Sequence, residues 1–346
     1  MTERRVGKPS PRELEILLGH AFGKPSRKVL VGPGPGLDAA VLDMGHGRVM
    51  AVAEDPIFPA PGLPLELMGW FTVHIGASDV AVTGVRPEYM TYTLLLPGSA
   101  TEDDARLLVR SISSAAEELG ISIVGGHTGW YDAVNVPIVG GVTVWGCAPK
   151  NAWVSPGGAR DGDLILMTKG PSIEAAALLG VLYRDRLTGR MAPGLVERVC
   201  ARVQQITVVK DALTAFACGG VHAMHDATEG GVLGGLWEMH AACGLPLHAD
   251  IDAVPVPEDI RALADALGFD PWQAISEGTL LAAVDPAHAE RVREAWSAQG
   301  IESHALGRFD AAAAANTLRR DGRDLDLPEP GEDPFWRLFF AGLGHG

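Results

Sequence analysis

The sequence predicts an α+β or mixed α/β protein built in two halves, and three observations support that fold class. Strand-like and helix-like segments alternate along the chain, as they do where helices cover sheets. The chain has 43 glycines and 24 prolines among 346 residues, which favours many tight turns over a helical bundle. Between residues 150 and 163 the composition shifts to Pro, Gly, Asn and Asp, as at a domain boundary. We therefore predict two domains, residues 1–155 and 156–346.

The first half contains two predicted helices among short predicted strands. Residues 65–83 are rich in Gly, Ala, Ser and Thr, so we expect a buried helix whose small side chains let another backbone come close. Residues 101–119 carry apolar side chains three and four positions apart, with Thr101 as a cap and Gly120 as a stop, and predict the clearest helix. Strands are expected at residues 27–31, 39–42, 48–53, 91–96, 121–124 and 137–145.

The second half begins with a predicted strand at residues 164–168 and includes a helix predicted at residues 229–243. Gly244 is expected to end that helix. One face of the helix is apolar and is expected to enter the core; its residues are Val232, Leu236, Met239 and Cys243.

The charge of the chain limits its partners. Acidic residues exceed basic ones by 43 to 28, and a net charge of −15 repels a phosphate backbone, so no nucleic-acid partner is expected. Phosphates would have to be held locally, by metal ions or backbone N–H groups. The N-terminus is polar and no apolar run reaches about 18 residues, so we expect no signal peptide, no membrane partner and a cytoplasmic location. The four cysteines lack a C-x-x-C pair and are expected to be buried apolar residues.

Two segments of the first half place an acid beside a turn. In Gly32-Pro-Gly-Pro-Gly36-Leu-Asp38 the alternate glycines leave backbone N–H groups open to an anion, and Asp38 suits a metal or a ribose. The segment matches neither a Walker loop nor a Rossmann fingerprint, and a Pro-rich surface turn remains an alternative. Asp55 ends a predicted strand, where open α/β sheets place ligands, although a plain turn aspartate is equally consistent.

Asp79 is the one acid inside an otherwise small and apolar run. Because a buried carboxylate without a partner is costly, it needs a metal ion, a cation or a helix end. The nearby Arg86 makes a structural salt bridge the competing interpretation.

Two glycine pairs follow predicted strands. In Val124-Gly-Gly-His-Thr-Gly129 the glycines bring backbone amides toward a ligand, and His127 and Thr128 lie at the mouth of that turn. In His225-Asp-Ala-Thr-Glu-Gly-Gly231 we expect Thr228 to cap the following helix, whose free glycine N–H groups form an anion site. Asp226 would hold a cation that bridges to phosphate. When this segment is taken alone, a capped helix start is the common explanation.

Taken together, these segments predict a nucleoside triphosphate site. Three aspartates (Asp55, Asp79 and Asp226) accompany three glycine-rich turns, and carboxylates bind phosphate only through a divalent metal. Magnesium is the expected ion because the ligands are hard oxygens and no His/Cys cluster favours a transition metal.

The arrangement resembles the PurM-like (aminoimidazole ribonucleotide synthase-related) superfamily, and most of all its HypE-type hydrogenase maturation proteins, from about residue 32 to about residue 308. The two most specific strings are Ser78-Asp-x-Ala-x-x-Gly-x-x-Pro87 and Asp226-x-Thr-x-Gly-Gly231. The others are Asp38-Ala-Ala, Glu54-Asp55, Ile123-Val-Gly-Gly-His-Thr128 and Ser276-Glu-Gly-Thr279.

The resemblance implies a two-domain fold, in which the N-terminal sheet pairs with that of a second subunit and an α/β domain follows. It also implies an ATP site at the homodimer interface, with ATP used to phosphorylate an oxygen. The implied Mg²⁺ ligands are Asp55, Asp79 and Asp226. The implied nucleotide contacts, together with those expected from the glycine-rich turns, are Gly36, Asp38, Gly125, Gly126, Thr128, Thr228, Gly230 and Gly231.

Several positions depart from the HypE pattern. The tail has the acidic, proline-rich lead-in from Pro328 onward but lacks the terminal cysteine whose thiol carries the carbamoyl group. The Gly-Asp-Thr-Lys turn reads Gly126-His-Thr-Gly129, without its acid and its lysine, and Leu37 replaces the first acid of an Asp-Asp pair. Glu277 does match the glutamate of the family's Asn-Glu-Gly. The reactive cysteine of selenophosphate synthetases and the Asp-Gly-Leu string of thiamine-phosphate kinases are missing.

The leading hypothesis is an ATP-dependent enzyme that transfers the γ-phosphoryl group to an oxygen of an unidentified small or protein-borne substrate. His127 and Glu277 are the candidate bases, although a histidine at a turn is more often structural. The alternatives are a nucleotide-binding maturation partner without catalysis of its own and a small-molecule kinase similar to thiamine-monophosphate kinase.

Overall fold

The computed structural model describes residues 6–19, 21–60 and 62–343. By their contacts these residues form two compact units. The N-terminal unit comprises Lys28–Gly32 and Asp38–Trp153, and the remaining described residues, including the first helix α1 (Pro11–Leu18), form the C-terminal unit. The contacts thus change near the predicted boundary, whereas the described residues before Lys28 group with the second unit. The division at residue 155 into independent domains stays a prediction.

The N-terminal unit is a six-stranded sheet with two helices. The strand order is β1-β2-β3-β6-β4-β5, with β4 and β5 parallel and the other neighbours antiparallel. Both helices pack on each other, and α2 also packs on β3 and β6. The elements are β1 (Val29–Val31), β2 (Ala40–Gly45), β3 (Arg48–Ile57), α2 (Leu65–Ala81), β4 (Tyr89–Leu96), α3 (Glu102–Leu119), β5 (Ser122–Trp130) and β6 (Ile138–Pro149).

Both predicted helices of this unit are confirmed. Helix α2 is buried along most of its length, and a Cβ atom at Gly76 would lie 2.9 Å from Val142 Cγ1 of β6, so a small residue lets the helix approach the sheet. Helix α3 begins with a capping box, in which the Thr101 hydroxyl accepts from the Asp104 N–H and the Asp104 carboxylate accepts from the Thr101 N–H. Gly120 ends it in the left-handed conformation, at φ +72°.

The C-terminal unit is a seven-stranded sheet of order β13-β12-β9-β11-β7-β10-β8, antiparallel except for the β9–β12 pair. Its core lies between the sheet and the helices and includes Met239, Leu281 and Phe309. The elements are β7 (Leu164–Thr168), α4 (Ile173–Leu182), α5 (Arg184–Leu187), α6 (Pro193–Ala201), α7 (Val209–Cys218), β8 (Val221–Asp226), α8 (Gly231–Cys243), β9 (Leu247–Asp250), α9 (Glu258–Leu267), β10 (Leu280–Val284), α10 (Ala289–Ser297), β11 (Ser303–Phe309), β12 (Thr317–Arg320), β13 (Arg323–Asp326) and α11 (Pro334–Leu343).

The predicted start of helix α8 is wrong by two residues. The helix begins at Gly231, and its N-cap is Gly230 at φ +83°, not Thr228. Only glycine adopts that left-handed conformation without strain, so the chain turns at Gly230 before the helix starts. The Thr228 hydroxyl instead accepts a hydrogen bond of 3.2 Å from Lys8 Nζ.

The helices of the described ranges are all too short or too polar to span a lipid bilayer.

Candidate functional site

The three predicted acids of the N-terminal unit lie in or beside regular elements. Asp55 lies within β3 opposite Val142 of β6, Asp79 lies in the last turn of α2, and Asp38 lies two residues before β2. All three are partly buried. Within this unit alone, the described residues do not bring three metal-ligating side chains together at coordination distance. The unit therefore offers single carboxylates rather than a complete cation site of its own.

Asp226 lies at the end of β8, where it pairs with Leu280 of β10. The residue is 1% exposed, and neither carboxylate oxygen accepts a hydrogen bond from any described residue. A buried carboxylate in that state costs several kcal/mol unless a cation or a donor compensates it. The chemistry of this oxygen donor suits Mg²⁺, so the site fits the predicted metal.

The neighbouring His225 anchors β8 to α8. Its Nε2 atom lies 2.9 Å from Glu238 Oε2. Burial by itself would raise the pKa of Glu238, but the hydrogen bond and the positive charge of His225 outweigh burial and leave that pKa below its usual value. Gly36 contacts the same residue: at φ +69°, any Cβ atom there would overlap the Glu238 carbonyl oxygen. The glycine-rich segment therefore needs glycine to lie against α8.

The sequence predicted free glycine amides at the start of α8, and that prediction is wrong because both amides make hydrogen bonds within the protein. The Gly230 N–H donates to Asp333 Oδ2 at 2.8 Å, and the Gly231 N–H donates to the Thr228 carbonyl at 3.0 Å. The second bond closes the turn that precedes the helix. The acceptor of the Gly230 bond, Asp333, lies 103 positions later in the chain, so the local sequence cannot reveal this contact.

The second glycine pair lies inside strand β5, not in a turn beyond it. Gly125 and Gly126 pair with Thr91 and Tyr92 of β4, and Gly126, at φ +143°, has no room for a Cβ atom against the Tyr92 backbone. Strand pairing thus accounts for Gly126 without any ligand. His127 and Thr128 follow on the same strand and are exposed.

His127 is held by a residue that the sequence analysis missed. Its Nε2 atom makes a short hydrogen bond with the hydroxyl group of Tyr131, four positions later. This contact orients the imidazole ring. A spacing of four positions predicts a side-chain contact in a helix, but these two residues lie in and just after strand β5. The spacing therefore did not predict their contact.

Glu277 lies in a tightly fixed turn before β10 and is 2% exposed. Ser276 Oγ lies 2.7 Å from Thr279 Oγ1 and accepts a bond of 3.1 Å from the Ile173 N–H. Lys169 Nζ donates to the Gly278 carbonyl at 2.8 Å and forms a buried ion pair of 2.9 Å with Asp211. These contacts fix the backbone of the turn, so the position of Glu277 is set before any ligand binds.

Glu174 is an acidic residue near this turn that was not predicted from the sequence. It lies in the first turn of α4 and is partly buried. Burial, followed by the negative charges of Asp333 and Glu229, raises the pKa of Glu174 to about 8; the backbone N–H of Glu277, which donates to its carboxyl group, and Lys8 oppose the rise. A single acid in an apolar run is the signal that singled out Asp79, and the same rule would have found Glu174.

Two models of one family match the chain. The AIR synthase related protein, N-terminal domain, matches residues 36–148, and the AIR synthase related protein, C-terminal domain, matches residues 160–316. These matches confirm the resemblance that the motifs indicated.

Relatives and solved structures agree with the family models. "Carbamoyl dehydratase HypE" of Escherichia coli K12 is 29% identical over 289 residues, which cover 79% of each chain. The solved structure of hydrogenase maturation protein HypE in complex with ATP has a TM-score of 0.68 at 21% identity, covering 96% of this chain and 98% of its own. "AaThiL complexed with AMPPCP and TMP" has a TM-score of 0.71 at 16% identity, covering 95% and 98%. At these identities, the two structures are evidence of a shared fold and not of a shared activity. The chain therefore belongs to the AIR synthase related, PurM-like family, and it has the mixed α/β two-domain fold of that family.

Proposed function

We propose that the protein is a Mg-ATP-dependent enzyme that transfers the γ-phosphoryl group of ATP to an oxygen atom of a small or protein-borne substrate. The observation that carries the proposal is the carboxylate of Asp226, which is buried, accepts no hydrogen bond from the described residues and lies just before a glycine-rich helix start. The relatives add support, because one is a carbamoyl dehydratase by name and two solved neighbours are complexes with ATP or its analogue AMPPCP.

The proposed magnesium ligands are the carboxylates of Asp55, Asp79 and Asp226. When bound, Mg²⁺ would neutralise charge on the β- and γ-phosphates. The hydrogen bond between His225 and Glu238 holds the end of β8 in place, so that Asp226 is presented without reorganisation. The proposed nucleotide contacts are Gly36, Asp38, Gly125, Gly126, Thr128, Thr228, Gly230 and Gly231.

Transfer requires a group that removes the proton of the acceptor oxygen while ADP departs with the bridging oxygen. Glu277 and His127 are the proposed bases. Glu277 is buried in a fixed turn, which favours a defined position, and His127 is exposed and oriented by Tyr131.

The test of catalysis is ATP turnover by the purified protein, with and without cell extract as a source of substrate. Turnover should appear with extract and should disappear in Glu277→Gln, while that variant still binds Mg-ATP. Tight Mg-ATP binding with no turnover under any condition would contradict an enzyme and indicate a nucleotide-binding maturation partner instead.

Asp79→Asn separates a ligand role from a structural salt bridge with Arg86. A metal ligand that loses its charge should weaken Mg-ATP binding by at least about tenfold, roughly 1.4 kcal/mol. The apo melting temperature should stay the same or rise, because the amide is cheaper to bury than a carboxylate. A structural pair predicts the opposite: a stranded cation, a lower melting temperature and loss of ATP affinity only as a consequence.

We also propose a homodimer, formed through the N-terminal sheet. Strand β5 is an edge strand, since no described strand pairs with its outer side. Its exposed residues include Val124 (55%) and Trp130 (47%), an apolar edge that pairing with a second copy would cover.

Val124→Lys should convert the dimer to a monomer at micromolar concentration, because the charge would be buried in the new strand pair. Sedimentation velocity measures the change. Met44→Lys is the matched control, since Met44 is 50% exposed at the end of β2. A wild-type monomer, or a Val124→Lys dimer as stable as the control, would refute this interface.

A further inference from the structure

We propose that Tyr131 is a further catalytic residue, whose hydroxyl group passes the proton of the acceptor oxygen to Nε2 of His127. The inference rests on the proposed function and adds a residue and a proton path to the same reaction.

Tyr131 and His127 meet on one face of the chain where β5 ends. The side chains of a strand alternate between its two faces, so His127, Gly129 and Tyr131, at positions two apart, share a face. The Tyr131 ring folds back over Gly129, and its hydroxyl group makes the hydrogen bond with His127 Nε2. The two ring centroids are 6.0 Å apart. The tyrosine thus reaches a residue four positions earlier in the chain.

Gly129 makes this contact possible. A Cβ atom there would lie 2.9 Å from both Cε2 and the hydroxyl oxygen of Tyr131, so any larger residue would displace the ring. Positions 127 and 129 are also two of those at which the chain departs from the HypE-type turn, where that pattern has an acid and a lysine. The three residues are therefore matched to one another rather than independent surface residues.

The pair is placed where an acceptor can reach it. Tyr131 is 40% exposed, and His127 is exposed as well. His127 is the register partner of Thr93 on β4, so its side chain stands on a face of the sheet. Backbone pairing of β5 with a second copy would use the edge of the sheet and not this face.

The two groups provide a complete path for the proton. A phenol hydroxyl group can accept one hydrogen bond while it donates another, and an unprotonated imidazole nitrogen can accept. As the acceptor oxygen bonds to the γ-phosphorus, the bond from that phosphorus to the β,γ-bridging oxygen breaks, and its electron pair leaves with ADP. The acceptor proton moves to the Tyr131 oxygen and the hydroxyl proton of Tyr131 moves to His127 Nε2, so the tyrosine ends neutral and the histidine charged.

The experiment measures phosphate release from saturating Mg-ATP by the full chain in cell extract, after subtraction of the release by extract alone. Tyr131→Phe removes only the hydroxyl group and should lower this rate about a hundredfold, while the calorimetric Kd for Mg-ATP stays the same. Gly129→Ala should lower the rate to a similar extent, because its Cβ atom displaces the ring. His127→Gln combined with Tyr131→Phe should be no slower than either variant alone, since both act on one path.

The chain offers a matched control for each change. Tyr89→Phe also removes a hydroxyl group from a tyrosine that is 40% exposed, and the Tyr89 ring stacks on Trp145 away from His127. Gly140→Ala adds a Cβ atom that would make an ordinary contact of 3.5 Å with Leu95. Both controls should release phosphate as fast as the wild type does.

The outcomes separate the relay from the proposed function. Wild-type turnover that Tyr131→Phe retains in full would overturn the relay and leave the proposed function standing. A lower rate in Tyr131→Phe with equally weakened Mg-ATP binding would also overturn the relay, because the hydroxyl group would then support binding and not proton transfer. A wild type that binds no Mg-ATP, or binds it without turnover, would overturn the proposed function and the relay with it.

Discussion

Replacing Asp226 by asparagine should weaken Mg-ATP binding by at least about a hundredfold, roughly 2.7 kcal/mol, and should not harm the ligand-free fold. The wild-type carboxylate is 1% exposed without a hydrogen-bond donor among the described residues, so its charge is a cost until a cation arrives. The amide has the same shape and no charge. The free energy of unfolding of the apo protein should therefore rise, by about 1–3 kcal/mol.

Thermal unfolding and calorimetric titration measure the two effects. The matched control is Asp265→Asn, which changes an exposed aspartate on α9 and should alter neither quantity. A lower apo melting temperature with unchanged Mg-ATP affinity would show that Asp226 supports the fold and holds no metal.

Replacing Glu174 by glutamine should stabilise the protein at alkaline pH and change little at acidic pH. The pKa of Glu174 is raised from 4.5 to about 8, chiefly by burial. Between these values the native state keeps a proton that the unfolded chain has lost, so the free energy of unfolding falls as pH rises from about 4.5 to 8. Each pKa unit corresponds to about 1.4 kcal/mol, so the cost removed at pH 9 is on the order of 3 kcal/mol after allowance for partial exposure.

Urea unfolding of the wild type and Glu174→Gln at pH 5 and pH 9 tests this expectation. Glutamine retains an acceptor for the Glu277 N–H, so the turn that holds Glu277 should survive. The pKa of Asp333 is also raised above its usual value. Because Asp333 is present in both proteins, its contribution largely cancels from the difference in the free energy of unfolding. The control is the exposed Glu117→Gln on α3. A difference between Glu174→Gln and the wild type that does not depend on pH would contradict a protonated Glu174.

Local chemistry made much of the fold predictable. Helix α3 carries its whole signal within its own residues, from the capping hydroxyl of Thr101 to the left-handed Gly120, and it was located to within one residue. Strand β5 was harder, because a glycine pair normally ends a strand. The strand continues because both glycines pair with β4. Gly126 has no Cβ atom, so its backbone can lie directly against that of Tyr92.

The candidate site also contains some residues that the local sequence reveals and others that it does not. The acids and glycines were visible because each interrupts a local pattern, as Asp79 interrupts an apolar helix. Asp333 and Lys8 were not, since their contacts with the 228–230 turn span 103 and 220 residues. Such contacts depend on how distant segments pack. The residues next to Asp333 and Lys8 in the sequence therefore do not predict them.

The measurement that tests the central claim most directly is a calorimetric titration of the wild-type protein with Mg-ATP, repeated with EDTA in place of magnesium. We expect saturable binding in magnesium, a large loss of affinity in EDTA, and a melting temperature that rises with Mg-ATP because the ligand binds only the native state. No heat of binding and no change in melting temperature at saturating Mg-ATP would contradict a nucleotide-using enzyme.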